Sequence, residues 1–176
     1  MVTLRPMQLD DLGLVRHWLA EPHVARWFLA GSSLERELED IRLSVTGAQP
    51  VHLLVALDDD RPIGWCQWYV CEDNLEWSAE IGAAPGDVGV DYAIGEPTSV
   101  GRGLGTDLIA ALVAFVRAER SEDCVVMADP EAHNVASRRV LEKNGFELVA
   151  EKAMACEPTD DPMAIYRLAA ASDSAG

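Results

Sequence analysis

Two groups of residues in this chain could do chemistry together. One is Asp91, a carboxylate flanked by small residues, and the other is the alternating-glycine stretch Gly101-Arg102-Gly103-Leu104-Gly105-Thr106. Between residues 88 and 95 the bulky residues Val88, Val90, Tyr92 and Ile94 alternate with Gly89, Asp91, Ala93 and Gly95. A strand with this pattern turns one apolar face inward and leaves Asp91 on the other, beside side chains too small to keep a ligand away. A carboxylate so placed can hold an amine or accept its proton. From Leu104 onward Leu108, Ala111, Leu112 and Phe115 recur at helical spacing, so the glycines enter a helix. A loop of this kind points unpaired N–H groups at an anion, and the helix dipole adds roughly half a positive charge there. A phosphate or pyrophosphate would fit, although a plain strand-to-helix connection needing positive φ would use the same glycines. No Gly-Lys-Ser/Thr follows, which excludes a Walker loop. The spacing is not G-x-G-x-x-G, and no ribose-binding acid closes a following strand about 20 residues on, which argues against a dinucleotide fingerprint.

Further polar residues stand at the ends of the neighbouring elements. Val125-Val126-Met127-Ala128 reads as a short buried strand that delivers Asp129 to a turn made by Pro130. Asn134 is a good N-cap for the next helix, and Gly145 a good residue to end it. Asp129 could bind an ammonium or merely cap its turn. Trp27 and Trp77 fall in segments that look like loops, where they could pack on sugar faces and cations, whereas Trp65 and Tyr69 read as core. His17, His23, His52 and His133 form no cluster and read as surface or capped side chains. Cys66, Cys71, Cys124 and Cys156 have no metal-ligand spacing and read as reduced structural thiols, so no metal is expected.

The order N-x4-R-x2-E-K-x-G-F, carried by Asn134, Arg139, Glu142, Lys143, Gly145 and Phe146, resembles the GNAT superfamily of N-acetyltransferases. The resemblance runs from Val2 to about Leu168 and is greatest to the aminoglycoside 6′-N-acetyltransferases. It is carried by Val2-Thr3-Leu4-Arg5, Trp18-Leu19, His23-Val24 with Trp27, Pro62-Ile63-Gly64 with Gln67 and Tyr69, Gly89-Val90-Asp91, the glycine loop, Asp129-Pro130, and Asp161 before Ile165-Tyr166. The resemblance implies an α+β fold with a mixed central sheet flanked by helices, whose Asp91 and Asp129 strands splay apart around the pantetheine arm of acetyl-CoA. It implies that Asp91 contacts or deprotonates the attacking amine. It places the acetyl donor on Tyr92, Ile94, Val100, Gly101, Arg102, Gly103, Leu104, Gly105, Thr106, Asn134, Ser137 and Lys143. It places the acceptor on Trp27, Asp73, Trp77, Asp91, Asp129 and Asp161. Two positions depart from the family pattern. Val100 stands where Gln or Arg is common, and Leu141 stands where a tyrosine could protonate the coenzyme A thiolate. If that hydroxyl is missing, Leu141→Tyr is expected to leave turnover equal or raise it.

The elements that must position these residues follow from pattern. Helices are expected after Asp10-Asp11 and from about Ser33 to Val45, and strands near His52–Leu57 and Pro62–Cys71 joined at Asp58–Arg61. Two closing strands are expected near Phe146–Met154 and Met163–Leu168. The 176 residues suffice for one domain over residues 1–170, with 171–176 as a disordered tail, and no linker or repeat divides them. No signal peptide or apolar span is evident, so a cytoplasmic protein is expected. The formal charge is −16, concentrated between Asp58 and Glu96, where ten acids face the single base Arg61. That field gathers polycations and argues against nucleic acid or an anionic membrane as partner, though it also serves solubility. Monomer and homodimer both remain open.

Three functions compete at this level. The first is acetyl transfer from acetyl-CoA to an aminoglycoside amine, most simply the 6′-amine. The second is acylation of another amine, such as a siderophore lysine or a protein N-terminus. The third is a non-catalytic acyl-CoA-binding module, suggested by Leu141 alone. Acid with tryptophan favours the polycationic sugar, and Asp91 beside an intact loop disfavours the third.

Overall fold

A computed structural model describes residues 1–156 and 161–170. The expected tail at 171–176 lies outside the described residues. Seven strands, β1 (Val2–Pro6), β2 (Val51–Asp58), β3 (Arg61–Val70), β4 (Val88–Ile94), β5 (Val126–Ala128), β6 (Glu147–Lys152) and β7 (Met163–Leu168), form one sheet in the order β1-β2-β3-β4-β5-β7-β6. Every neighbouring pair is antiparallel except β4 and β5. Among the described residues six α-helices accompany them: α1 (Leu12–Ala20), α2 (Pro22–Phe28), α3 (Leu34–Val45), α4 (Leu75–Ile81), α5 (Leu104–Glu119) and α6 (Val135–Lys143).

Side-chain alternation divides the core. Leu54, Ala56, Cys66, Trp68, Val88, Val90, Val126, Ala128 and Tyr166 pack on one face of the sheet against Leu104, Leu108, Leu112 and Val116 of α5 and Leu141 of α6. Residues of opposite parity face the other way and make two separate clusters. Leu53, Val55, Trp65 and Ala93 pack under α1 and α3 with Val15, Trp18, Leu19 and Ile41, while Val125, Met127, Met163 and Ile165 pack under α4 with Trp77 and Ile81. Between those two clusters the same face presents Gln67, Tyr69, Asp91 and Asp129. Trp65 is core as expected, stacked on Trp18 at 6.1 Å.

The local signals read from the sequence sit where they act. Ser33 accepts a hydrogen bond from the Arg36 N–H and starts α3, and Asn134 accepts from the Ser137 N–H and starts α6. Asp59 and Asp60 take left-handed φ values of 46° and 64° in the β2–β3 turn. Three elements were not expected. β1 pairs along β2 at the sheet edge, and α2 and α4 occupy segments that look like loops. Both helices are only seven residues long, too short for a convincing period; α2 is betrayed by Pro22 at its first turn and α4 by the Asn74 cap on the Trp77 N–H.

Leu141 corrects an expectation. Its side chain is fully buried in the main core, although Arg139, Val140 and Lys143 on the same helix line a cavity. A tyrosine there would enter the core instead of reaching a leaving group. Leu141→Tyr is therefore expected to cost about 1–3 kcal/mol by overpacking, lowering Tm by several degrees in a thermal melt without raising turnover. An unchanged Tm would mean that residue 141 can swing out toward the cavity.

Candidate active site

The site begins where the sheet fails to close. β4 and β5 pair only through Val88↔Val126 and Gly89↔Met127, and then diverge as the family resemblance implied. The reason lies in β5, which is three residues long and runs into Asp129-Pro130. Pro130 has no N–H to continue the ladder, and the chain beyond it joins the start of β7. The Pro130 carbonyl accepts from Ala164, the Ala132 N–H donates to Pro162, and Glu131 bridges to Met163. From Asp91 onward β4 is paired on its β3 side alone.

A cavity of about 380 Å³ opens at this gap on the face that carries Asp91. Four carboxylates line it, Glu37 from α3, Asp91 from β4, and Asp129 and Glu131 from the β5–α6 loop, together with Trp27, Phe28, Tyr69 and Trp77. Asp91 lies opposite Gln67 in the β3–β4 register, and the Gln67 amide donates to its Oδ2 at 2.8 Å. Burial raises the Asp91 carboxyl above the ordinary aspartate value, opposed by hydrogen bonds from Gln67 and Tyr69 that favour the charged form. Burial beside Asp91 and Asp129 also holds the Tyr69 phenol well above its usual value, so Tyr69 is a donor here. Gly89 beside Asp91 is small for a specific reason: a Cβ there would run into the rings of Tyr69 and Trp77. Those rings, and not empty space, form the walls beside the carboxylate.

A second cavity of about 640 Å³ runs from the same gap along α6 to the glycine loop. Gly101 and Gly103 adopt φ of 78° and 85°. None of the N–H groups of Gly101, Arg102 and Gly103 finds an acceptor among the described residues. These are orphan donors at the start of a 16-residue helix, the chemistry that suits a pyrophosphate. His23 of α2 meets the Ile94 carbonyl at 2.9 Å and fastens that helix over the end of β4. It is a tie between α2 and β4 that also lines this cavity, not the surface or capped histidine expected.

Of the residues assigned to the acetyl donor, Tyr92, Ile94, Val100, Gly101, Gly103, Gly105, Thr106, Asn134, Ser137 and Lys143 line this second cavity. Arg102 and Leu104 do not. The Arg102 side chain is exposed, and Leu104 turns into the core as the first residue of α5. Of the acceptor residues, Trp27, Trp77, Asp91 and Asp129 line the acidic cavity, whereas Asp73 and Asp161 do not. Asp73 is exposed in the turn before α4, and it is the adjacent Asn74 that reaches the lining. Asp161 lies at the rim, 3.9 Å from Nδ1 of His133. Trp27 and Trp77 sit on helices, not loops; Trp77 is buried, and its indole N–H donates to Asp129 Oδ2 at 2.7 Å. Tyr69 is more than core packing, since it reaches both the cavity and Asp91. Glu37 and Glu131 were missed because each reads as an ordinary surface acid, on the exposed face of a helix or in a turn.

His133 was expected to stand alone, yet it lies between carboxylates. Its Nε2 is 3.4 Å from Glu131, its Nδ1 faces Asp161, and its ring packs on Trp27 at 5.1 Å, with the Arg26 guanidinium 4.4 Å from the same indole. Ligand atoms of Glu131, His133 and Asp161 fall within 4.8 Å of one another. The two acids lie beside different ring nitrogens of His133. Cys66, Cys71, Cys124 and Cys156 are free thiols. Burial pushes Cys71 up to about 12, which keeps it an unreactive thiol. Among the described residues no helix is long and apolar enough to cross a membrane.

Comparison with known proteins agrees with this geometry. The model of the acetyltransferase (GNAT) domain family matches residues 8–154. The aminoglycoside N(6′)-acetyltransferase type 1 of Klebsiella pneumoniae is 32% identical over 150 residues, covering 83% of this chain and 74% of that protein. The lysine N-acyltransferase MbtK of Mycobacterium tuberculosis is 28% identical over 98% of this chain and 79% of its own length. The crystal structure of aminoglycoside acetyltransferase AAC(6′)-Ib in complex with coenzyme A and kanamycin superposes with a TM-score of 0.82 at 29% identity, over 96% of this chain and 95% of that one. With its sheet parted between Asp91 and Asp129 and a glycine loop opening α5, this chain belongs to the GNAT acetyltransferase family.

Proposed function

We propose that this protein is an aminoglycoside 6′-N-acetyltransferase that uses acetyl-CoA as donor. One observation carries the reading: an aromatic-walled cavity with four carboxylates meets, through the gap between β4 and β5, a groove that ends on orphan N–H donors. Multiple carboxylates and flat rings suit a polycationic sugar, by ion pairing and by cation–π and stacking contacts. The similarity to the Klebsiella enzyme, and to a structure holding coenzyme A and kanamycin, supports the same pairing of substrates. A lysine or N-terminal amine would need one carboxylate, not four.

The chemistry follows from the side chains. The loop from Gly101 to Thr106 holds the donor's pyrophosphate, and the unpaired edge of β4 lies along its pantetheine arm. Asp129, held by the Trp77 indole, and Glu131 bind the acceptor's ammonium groups away from the reacting one. Asp91 takes the proton of the attacking amine, because an ammonium has no lone pair with which to attack a thioester. Gln67 and Tyr69 orient that carboxylate, and the desolvation that raises its pKa makes it a better base.

Two outcomes are expected. Asp91→Asn should cut kcat by about 10²-fold or more while acetyl-CoA binding is kept. Because the raised pKa means that ionised Asp91 weakens the fold at neutral pH, the variant's Tm should equal or exceed that of the parent. In the parent, kcat/KM should rise with pH through the Asp91 titration, on a limb lying above the ordinary aspartate value, and this limb should vanish in Asp91→Asn. A variant with near-normal kcat would remove Asp91 from the mechanism. Second, kcat/KM for kanamycin should fall with added salt more steeply than acetyl-CoA affinity does, since the acidic cavity works through screened charge. A flat salt response, or faster turnover of peptide N-termini than of kanamycin, would favour acylation of another amine.

A further inference from the structure

The fully buried Leu141 cannot meet the departing sulfur, so some other group must face it. The acidic cavity and the donor groove share five lining residues: Trp27, Phe28, Tyr92, Asn134 and Ser137. An acetyl group that passes from one cavity to the other crosses at these five, so the carbon–sulfur bond that breaks lies among them. Trp27 and Phe28 supply rings, and the Asn134 carbonyl oxygen is engaged in capping the Ser137 N–H. Trp27 also carries an indole N–H and Asn134 an amide N–H2, and beside them stand two hydroxyls, Tyr92 Oη and Ser137 Oγ, 2.7 Å apart. They come from opposite walls of the gap, one from β4 and one from the first turn of α6.

Resting on the acetyl-transfer reading above, we infer that the Ser137 hydroxyl, aligned by Tyr92, is the hydrogen-bond donor that stabilises the departing coenzyme A thiolate. In this arrangement Tyr92 donates to Ser137 Oγ, one of the two directions that the 2.7 Å contact allows, which frees the serine's proton for the sulfur and makes it a stronger donor. Burial keeps the Tyr92 phenol protonated, with its pKa raised. Reversed donation would leave Ser137 nothing to offer, and Tyr92 would then have no acceptor except the Ser137 carbonyl at 3.2 Å. A thiolate at this point also meets the positive end of α6. In the step itself the amine nitrogen bonds to the carbonyl carbon, and the C–S bond breaks with its electron pair on sulfur. The amine proton goes to Asp91 and on to solvent, and the thiolate is protonated from solvent after it leaves. Ser137 keeps its proton throughout; no thiolate is basic enough to take it.

The test compares kanamycin acetylation by the parent, Ser137→Ala, Ser137→Thr and Tyr92→Phe, with acetyl-CoA and with its selenoester analogue as donors. A selenolate is a far weaker base than a thiolate and needs less help to depart. With acetyl-CoA, Ser137→Ala is expected to lose about tenfold in kcat at unchanged KM for kanamycin. Tyr92→Phe should lose less than Ser137→Ala, and Ser137→Thr should recover most of the rate. With the selenoester, the Ser137→Ala deficit should shrink to within about threefold. A purely structural role for Ser137 would lower both rates equally, and that result overturns the inference, as would a kcat within twofold of the parent. If Ser137→Ala does not fold, the same donor comparison on Tyr92→Phe decides it, an equal deficit with both donors overturning it. A parent inactive on every aminoglycoside would remove the acetyl-transfer reading and this one together, whereas an active parent with an indifferent Ser137 removes only this one.

Discussion

Strands β4 and β5 hold each other through two residue pairs and then part, and most of what this protein can do follows from that interruption. Had β5 continued, Asp91 and Asp129 would sit on adjacent strands of a closed sheet, with no gap in which the acidic cavity and the donor groove could meet. Pro130 ends the pairing because it lacks a donor, and the β7 hydrogen bonds to Pro130 and Ala132 draw the chain away. The gap is therefore built into the ladder. It places Asp91, from one face of β4, within a residue of Tyr92, from the other face. A proton acceptor and a hydroxyl thus meet the same reaction from its two sides.

The electrostatics of the cavity set function against stability. Four carboxylates line about 380 Å³, and the desolvation of Asp91 acts against its charged form in the folded state. Directed donors offset part of this: Gln67 and Tyr69 on Asp91, and the Trp77 indole on Asp129. A polycation entering the site would meet complementary charge on these carboxylates.

Most of the frame is legible in the sequence because it rests on local rules. The alternation in β4, the helical spacing of α5, the Ser33 and Asn134 caps and the Asp59-Asp60 turn each announce themselves within a few residues. The site is less legible because it is assembled from afar. Glu37 and Glu131 look like surface acids until α3 and the β5–α6 loop bring them to one cavity. The run of ten acids from Asp58 to Glu96, which looks like the source of the negative field, contributes only Asp91 to the lining. Asp73 and Asp161 fall outside it by a residue or by a rim. Leu141 shows the same limit in reverse: a motif offset assigns it to the leaving group, but helix phase turns it inward. The glycine loop succeeds because its chemistry lies in the backbone, which does not depend on where side chains point.

The central claim is that donor and acceptor meet in the gap between β4 and β5. A crystal structure of the protein with coenzyme A and kanamycin bound together tests it most directly. The account predicts the coenzyme A sulfur beside Tyr92 and Ser137, the pyrophosphate on the backbone from Gly101 to Thr106, and the 6′-amine of kanamycin within hydrogen-bonding distance of Asp91 or one water away. A sulfur seated elsewhere along the groove, or a kanamycin whose amines meet Asp129 and Glu131 while none approaches Asp91, would contradict it.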